Sequence, residues 1–144
     1  MGSKQTRIFS ARIDQLHPML EWIREGLHLA GFDLRTARKV EMASEEIIVN
    51  VIRHAYKESS GTIEIGIRVV PRDRIEIEIK DQGPPFDPLS EKEAIDLNAS
   101  LDERQEGGLG IFFVRKIMDE IHYLRKGGAN LLTLVKIMHS SQKK

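Results

Sequence analysis

The chain contains no cysteine. Disulfides and thiolate metal sites are therefore excluded, an absence that suits a reducing compartment. Neither charge is in excess: Lys plus Arg and Asp plus Glu are 22 each, so no long-range field draws the protein to nucleic acid or to an acidic membrane. No run approaches the roughly 18 apolar residues of a membrane helix, and the N-terminal residues lack the apolar core of a signal peptide. Internal repeats and low-complexity tracts are missing as well. These absences predict a soluble, cytoplasmic protein that partners neither nucleic acid nor membrane. A length of 144 residues with 40% hydrophobic side chains suffices for one core and not for two ordinary domains, so a single domain over residues 1–144 is expected.

What is present divides into helical and strand periods. Residues 6 to 13 read as an edge strand, after which Asp14 is placed to cap a helix carrying Leu16, Met19, Leu20, Ile23, Leu27 and Ala30, stopped by Gly31. Asp33 is placed to cap a second helix reaching about Lys57. The period then changes to two. Ile63, Ile65, Ile67 and Val69 alternate, as do Ile75, Ile77 and Ile79, with Pro71-Arg72-Asp73 as the turn of a hairpin. From Asp81 to about Gly108 no period is sustained, and a weakly structured stretch of that length in a small domain points to a functional lid, about residues 82–108. A third helix from Leu109 to Ile121, a strand near His122 to Arg125, a Gly127-Gly128 turn and a last strand from Leu131 to about Met138 follow. The pattern predicts a two-layer α/β sandwich: helices on one face of a mixed, mostly antiparallel sheet.

Three segments carry candidate chemistry: SEEIIVNVIRHAY (44 to 56), DQGPPFDP (81 to 88) and EGGLGIFFV (106 to 114). Glu46 and Asn50, one helical turn apart, share a polar stripe that borders the oily arc of Ile47, Val51 and Ala55. An amide oxygen from Asn50 together with phosphates satisfies the hard-oxygen preference of Mg²⁺, and Glu46 is placed to take a proton from an attacking hydroxyl. The same spacing also describes an ordinary solvated helix face. His54 reads as a packing or capping residue rather than a ligand.

Asp81 has the strand parity of Ile75, Ile77 and Ile79, so its carboxylate points inward and needs donors. The exocyclic amino group of adenine is one such donor, and Gly83 allows close approach of a base. The competing reading is an Asp that only initiates the turn. Gly107, Gly108 and Gly110 precede an apolar helix and expose free N–H groups to a polyphosphate, although glycine-rich helix starts without ligands are common and the two best-known nucleotide loops are absent. Thr133 in the last strand is placed to meet adenine, or a water beside Asp81, or simply to pack on its neighbours.

Taken in order, the three segments resemble the Bergerat-type ATP-binding fold shared by gyrase, Hsp90, histidine kinases and MutL. Within it the chain is most similar to the bacterial anti-sigma-factor serine kinases, over nearly its whole length. The resemblance implies Glu46 as general base, Asn50 as the Mg²⁺ ligand, Asp81 and Gly83 as the adenine box, Gly108 and Gly110 (with Gly107 beside them) as the phosphate box, and Thr133 as the late threonine near the base. Two positions depart from the pattern. Pro85 stands where many relatives carry a second glycine, and the lid arginine that contacts the γ-phosphate in some relatives has only Arg104 as a counterpart, with Glu106 closer to the glycines.

The activity implied is that of a Mg-ATP-dependent protein-serine kinase that binds a sigma factor and phosphorylates a small STAS-type anti-sigma antagonist, with homodimerisation as a family expectation. A non-catalytic module, in which ATP sets only the lid and the partner surface, is the alternative. A purely structural α/β domain without nucleotide is the third reading.

Overall fold

Alternating isoleucines set the sheet. In a computed structural model they lie on adjacent antiparallel strands, with Ile65 opposite Ile79 and Ile67 opposite Ile77. The structure describes residues 3–55, 61–87 and 109–139. Strand β1 (Lys4–Ser10) leads through one 3-10 turn (Ile13–Gln15) into α1 (Leu16–Ala30) and α2 (Leu34–Ala55). The hairpin β2 (Thr62–Val70) and β3 (Arg74–Asp81) comes next. Helix α3 (Leu109–Ile117), β4 (Glu120–Lys126) and β5 (Ala129–Ile137) complete the described chain.

The strand order is β1-β2-β3-β5-β4 and every pairing is antiparallel. The expected two-layer sandwich is therefore observed, with no parallel pair among the described residues. Ile63, Ile65, Ile75 and Ile77 are fully buried under Met19, Ile23 and Leu27 of α1, Val40 and Ile48 of α2 and Val114 of α3. Each such side chain contributes roughly 1.5–3 kcal/mol relative to exposure.

Local chemistry sets the helix ends. Gly31 takes φ 97°, and its N–H reaches the carbonyls of Leu27 and His28, a left-handed cap that a side chain would strain. Asp33 Oδ1 accepts the Thr36 N–H at 2.8 Å and opens α2. The Arg24 guanidinium grips both oxygens of Glu41 at 2.8 Å, tying α1 to α2.

Three expectations change. Asp14 does not cap α1: it accepts from Arg12 Nε at 3.1 Å inside the 3-10 turn, and Gln15 occupies the cap position without a side-chain bond. The edge strand starts at Lys4 and stops at Ser10, since Ala11 turns inward and bonds to Gly61 instead. Helix α3 stops at Ile117 rather than Ile121, because Lys136 Nζ donates to the Ile117 carbonyl at 2.9 Å and the Asp119 carboxylate accepts the Ile137 N–H at 2.7 Å. Those two bonds hand the chain to β4 a full turn early.

Candidate active site

At the end of β3 the inward parity continues past the last isoleucine to Asp81, which is only 5% exposed. Its Oδ1 accepts the Gly83 N–H at 2.9 Å and Asn130 Nδ2 at 3.0 Å. The first of these is the turn-initiating bond that the sequence also suggested. It occupies one carboxylate oxygen only: no hydrogen bond from the described residues reaches Oδ2. A buried carboxylate with an unsatisfied acceptor is costly unless a donor arrives from outside the chain, and an amino group of a base is such a donor.

The cavity at Asp81 is built from three directions. Ile47, Asn50 and Val51 come from α2, Ile79 from β3, and Tyr123, Asn130 and Leu132 from the β4–β5 hairpin; Phe86 closes it. Its volume is about 30 Å³, enough for one or two waters and too small for a purine until a wall moves. Phe86 is the wall on an irregular segment; its ring stacks on His54 at 5.6 Å. His54 thus packs against an aromatic ring. Two larger grooves, about 520 Å³ beside β1 and α1 and about 630 Å³ between α1 and α2, have no buried carboxylate or amide in their walls. Chemistry, not size, therefore selects the Asp81 cavity.

Glu46 and Asn50 sit half-buried on one face of α2. Neither makes a hydrogen bond or ion pair with the described residues. The first turn of α3 lies directly on Glu46: a Cβ added at Gly110 would overlap the Glu46 carboxylate. Only glycine lets the backbone of α3 approach that side chain so closely. The first and third segments, far apart in sequence, are thereby in contact, with the second beside them through Asn50 and Asp81. Gly107, Gly108 and Arg104 lie outside the described residues.

A sequence model of the histidine kinase-like ATPase domain matches residues 9–136. The chain belongs to that family. Serine-protein kinase RsbW of Staphylococcus aureus strain MSSA476 is 34% identical over 107 residues, covering 71% of this chain and 67% of that protein. RsbW of strain JH9 is 33% identical over the same shares. The chain therefore groups with the RsbW serine kinases. Among solved structures, the RsbU and RsbW domains from Mycobacterium tuberculosis give a TM-score of 0.63 at 16% identity, over 94% of this chain and 32% of that one. A blue-light activated histidine kinase from Erythrobacter litoralis gives 0.56 at 20% identity, over 89% and 43%. At such identities the likeness is one of fold.

Relative to that family pattern, one expected residue is misplaced. Thr133 pairs with Glu78 and His122, so it has the parity opposite to Leu132 and Leu134 and faces away from the helices. It cannot reach the Asp81 cavity, which corrects the expectation of a threonine beside the base. The position opposite Asp81 is Asn130, buried to 5% exposure. The last strand expected from the sequence starts at Leu131, which leaves Asn130 outside it, whereas the strand begins at Ala129. Its signal was parity: Asn130 shares the inward register of Leu132 and Leu134.

Proposed function

We propose that this histidine kinase-like domain binds Mg-ATP at the Asp81 cavity and transfers the γ-phosphate to a serine of a small anti-sigma antagonist, alternating between that partner and a sigma factor in the cytoplasm. The contact between Glu46 and the start of α3 carries the reading. It sets a half-buried carboxylate, without a partner among the described residues, against the helix end where phosphates of a nucleotide would lie. Asp81 Oδ2 would accept the adenine amino group, Asn50 would lend its amide oxygen to Mg²⁺, and Gly110 would leave room for phosphate oxygens. Magnesium, when bound, neutralises developing charge on the phosphates.

Glu46 takes the proton of the serine hydroxyl as that oxygen bonds to the γ-phosphorus; the bond to the β-phosphate oxygen breaks and ADP leaves. Substituting Glu46→Gln keeps the side chain's size and removes the base. Mg-ATP should bind at parent affinity while label transfer to the antagonist falls at least about a hundredfold. Transfer at the parent rate contradicts the assignment.

A second reading follows from one feature of the sequence: Arg104 is separated from the glycines by Glu106, so a γ-phosphate arginine is not assured. In that case ATP acts only as a structural ligand, and label stays on the nucleotide when the parent chain meets its antagonist. Homodimerisation through the exposed edge strand β1 belongs to the same proposal. Sedimentation with and without Mg-ATP tests it.

A further inference from the structure

Asn130 lies outside all three motifs, yet it is the best-connected polar side chain at the site. Its Nδ2 donates to Asp81 Oδ1 at 3.0 Å and to the Pro84 carbonyl at 2.8 Å. Its Oδ1 accepts from the Tyr123 hydroxyl at 2.6 Å and from the Phe86 N–H at 3.2 Å. All four hydrogen-bonding positions of the amide are used, and its orientation is set by its neighbours: a flip would put the NH₂ group against the Phe86 N–H and the oxygen against two acceptors. We infer that Asn130 is a positioning residue that fixes the Asp81 carboxylate for base recognition and couples it to the first turn of the lid.

The inference deepens the proposed function and rests on it. A carboxylate held by the Gly83 N–H alone keeps rotational freedom. With Asn130 on the same oxygen, Oδ1 is committed and Oδ2 is left as the atom that accepts from the base. Through Pro84 and Phe86 the same amide holds the backbone of the segment that closes the cavity, so carboxylate and lid root move together. The Arg125 guanidinium adds a bond to the Gly83 carbonyl at 2.7 Å, from the residue paired with Asn130 across the β4–β5 hairpin. That hairpin is therefore a second wall of base specificity, built by a turn in which Gly127 and Gly128 both take positive φ, 59° and 77°.

The test uses the full chain with Mg-ATP and Mg-GTP in calorimetry. Guanine presents an acceptor where adenine presents its amino group, so a fixed carboxylate rejects it and a loosened, wetter site rejects it less. Asn130→Ala should weaken ATP about ten- to a hundredfold and GTP less than about threefold, compressing the discrimination ratio. Tyr123→Phe, which removes one of the four bonds, should weaken ATP about two- to tenfold.

Asn130→Asp places a second carboxyl against Asp81. Its ATP affinity relative to the parent should be low at pH 8 and rise on acidification, as the pair takes up one proton and regains a donor. Without any nucleotide, hydrogen exchange at the Phe86 amide should accelerate about tenfold or more in Asn130→Ala. Parent-like affinity, ratio and exchange in Asn130→Ala would overturn the inference; if that variant does not fold, a parent-like Tyr123→Phe together with a pH-indifferent Asn130→Asp does so. A parent chain that ignores Mg-ATP overturns the proposed function instead, and the exchange measurement still decides whether Asn130 holds the lid root.

Discussion

The two halves of this sheet are built on different principles. Under α1, the inward positions of β2 and β3 are isoleucines, and the side chains buried there are held by apolar packing. At the far end of β3 the same register continues into Asp81 paired with Asn130, two of the three buried polar residues among those described. Burial there is satisfied by directed bonds. The first half tolerates approximate shape and fails through cavities; the second tolerates little change in direction and fails through mispaired groups.

That contrast can be attacked from both sides. The largest effect on stability belongs to the oily half: Ile77→Ala, in a fully buried central position, should cost about 2–5 kcal/mol in denaturant unfolding. The folded fraction should still bind Mg-ATP at nearly parent affinity. A loss of affinity as large as the loss of stability would show that the halves are not separable.

Next comes the junction of the first and third segments. Gly110→Ala forces the Glu46 carboxylate away from α3, so phosphate transfer should fall by about tenfold or more, since misplacement of a catalytic group by about an ångström is worth up to a hundredfold. Unchanged transfer would detach Glu46 from that helix end. The smallest effect lies at the start of α2. Hydrogen bonds from Thr36 hold the Asp33 carboxyl below its ordinary pKa. Asp33 thus adds stability at pH values above the ordinary carboxylate pKa of about 3.9, lost as pH falls through the lowered folded value. The Asp33→Asn variant keeps a capping oxygen that does not titrate. Melting temperatures between pH 6 and pH 3 should fall more steeply for the parent than for Asp33→Asn, and parallel curves would contradict the cap.

Periodicity made most of the fold readable. Inward isoleucines, the Asp33 cap, the Gly31 stop and the Pro71 turn are local signals, and each appears where the pattern put it. One failure was local, and the others depended on partners distant in sequence. Asp14 has capping chemistry, but a 3-10 turn intervened. The apolar period through Ile121 continued a helix that Lys136 and Ile137 of β5 terminate, through the Ile117 carbonyl and the Asp119 carboxylate. Thr133 was chosen by residue type, whereas the β5 register gives the inward place to Asn130. Asp81 was legible because its parity follows from an unbroken alternation.

The most direct measurement is Mg-ATP affinity of Asp81→Asn against the parent by calorimetry, with melting curves to show that both are folded. An amide at that position can set its N–H against the amino group of adenine, a mispairing of roughly 1–3 kcal/mol, so affinity should fall about ten- to a hundredfold. Equal affinity in the two folded proteins would mean that the base does not dock on this carboxylate.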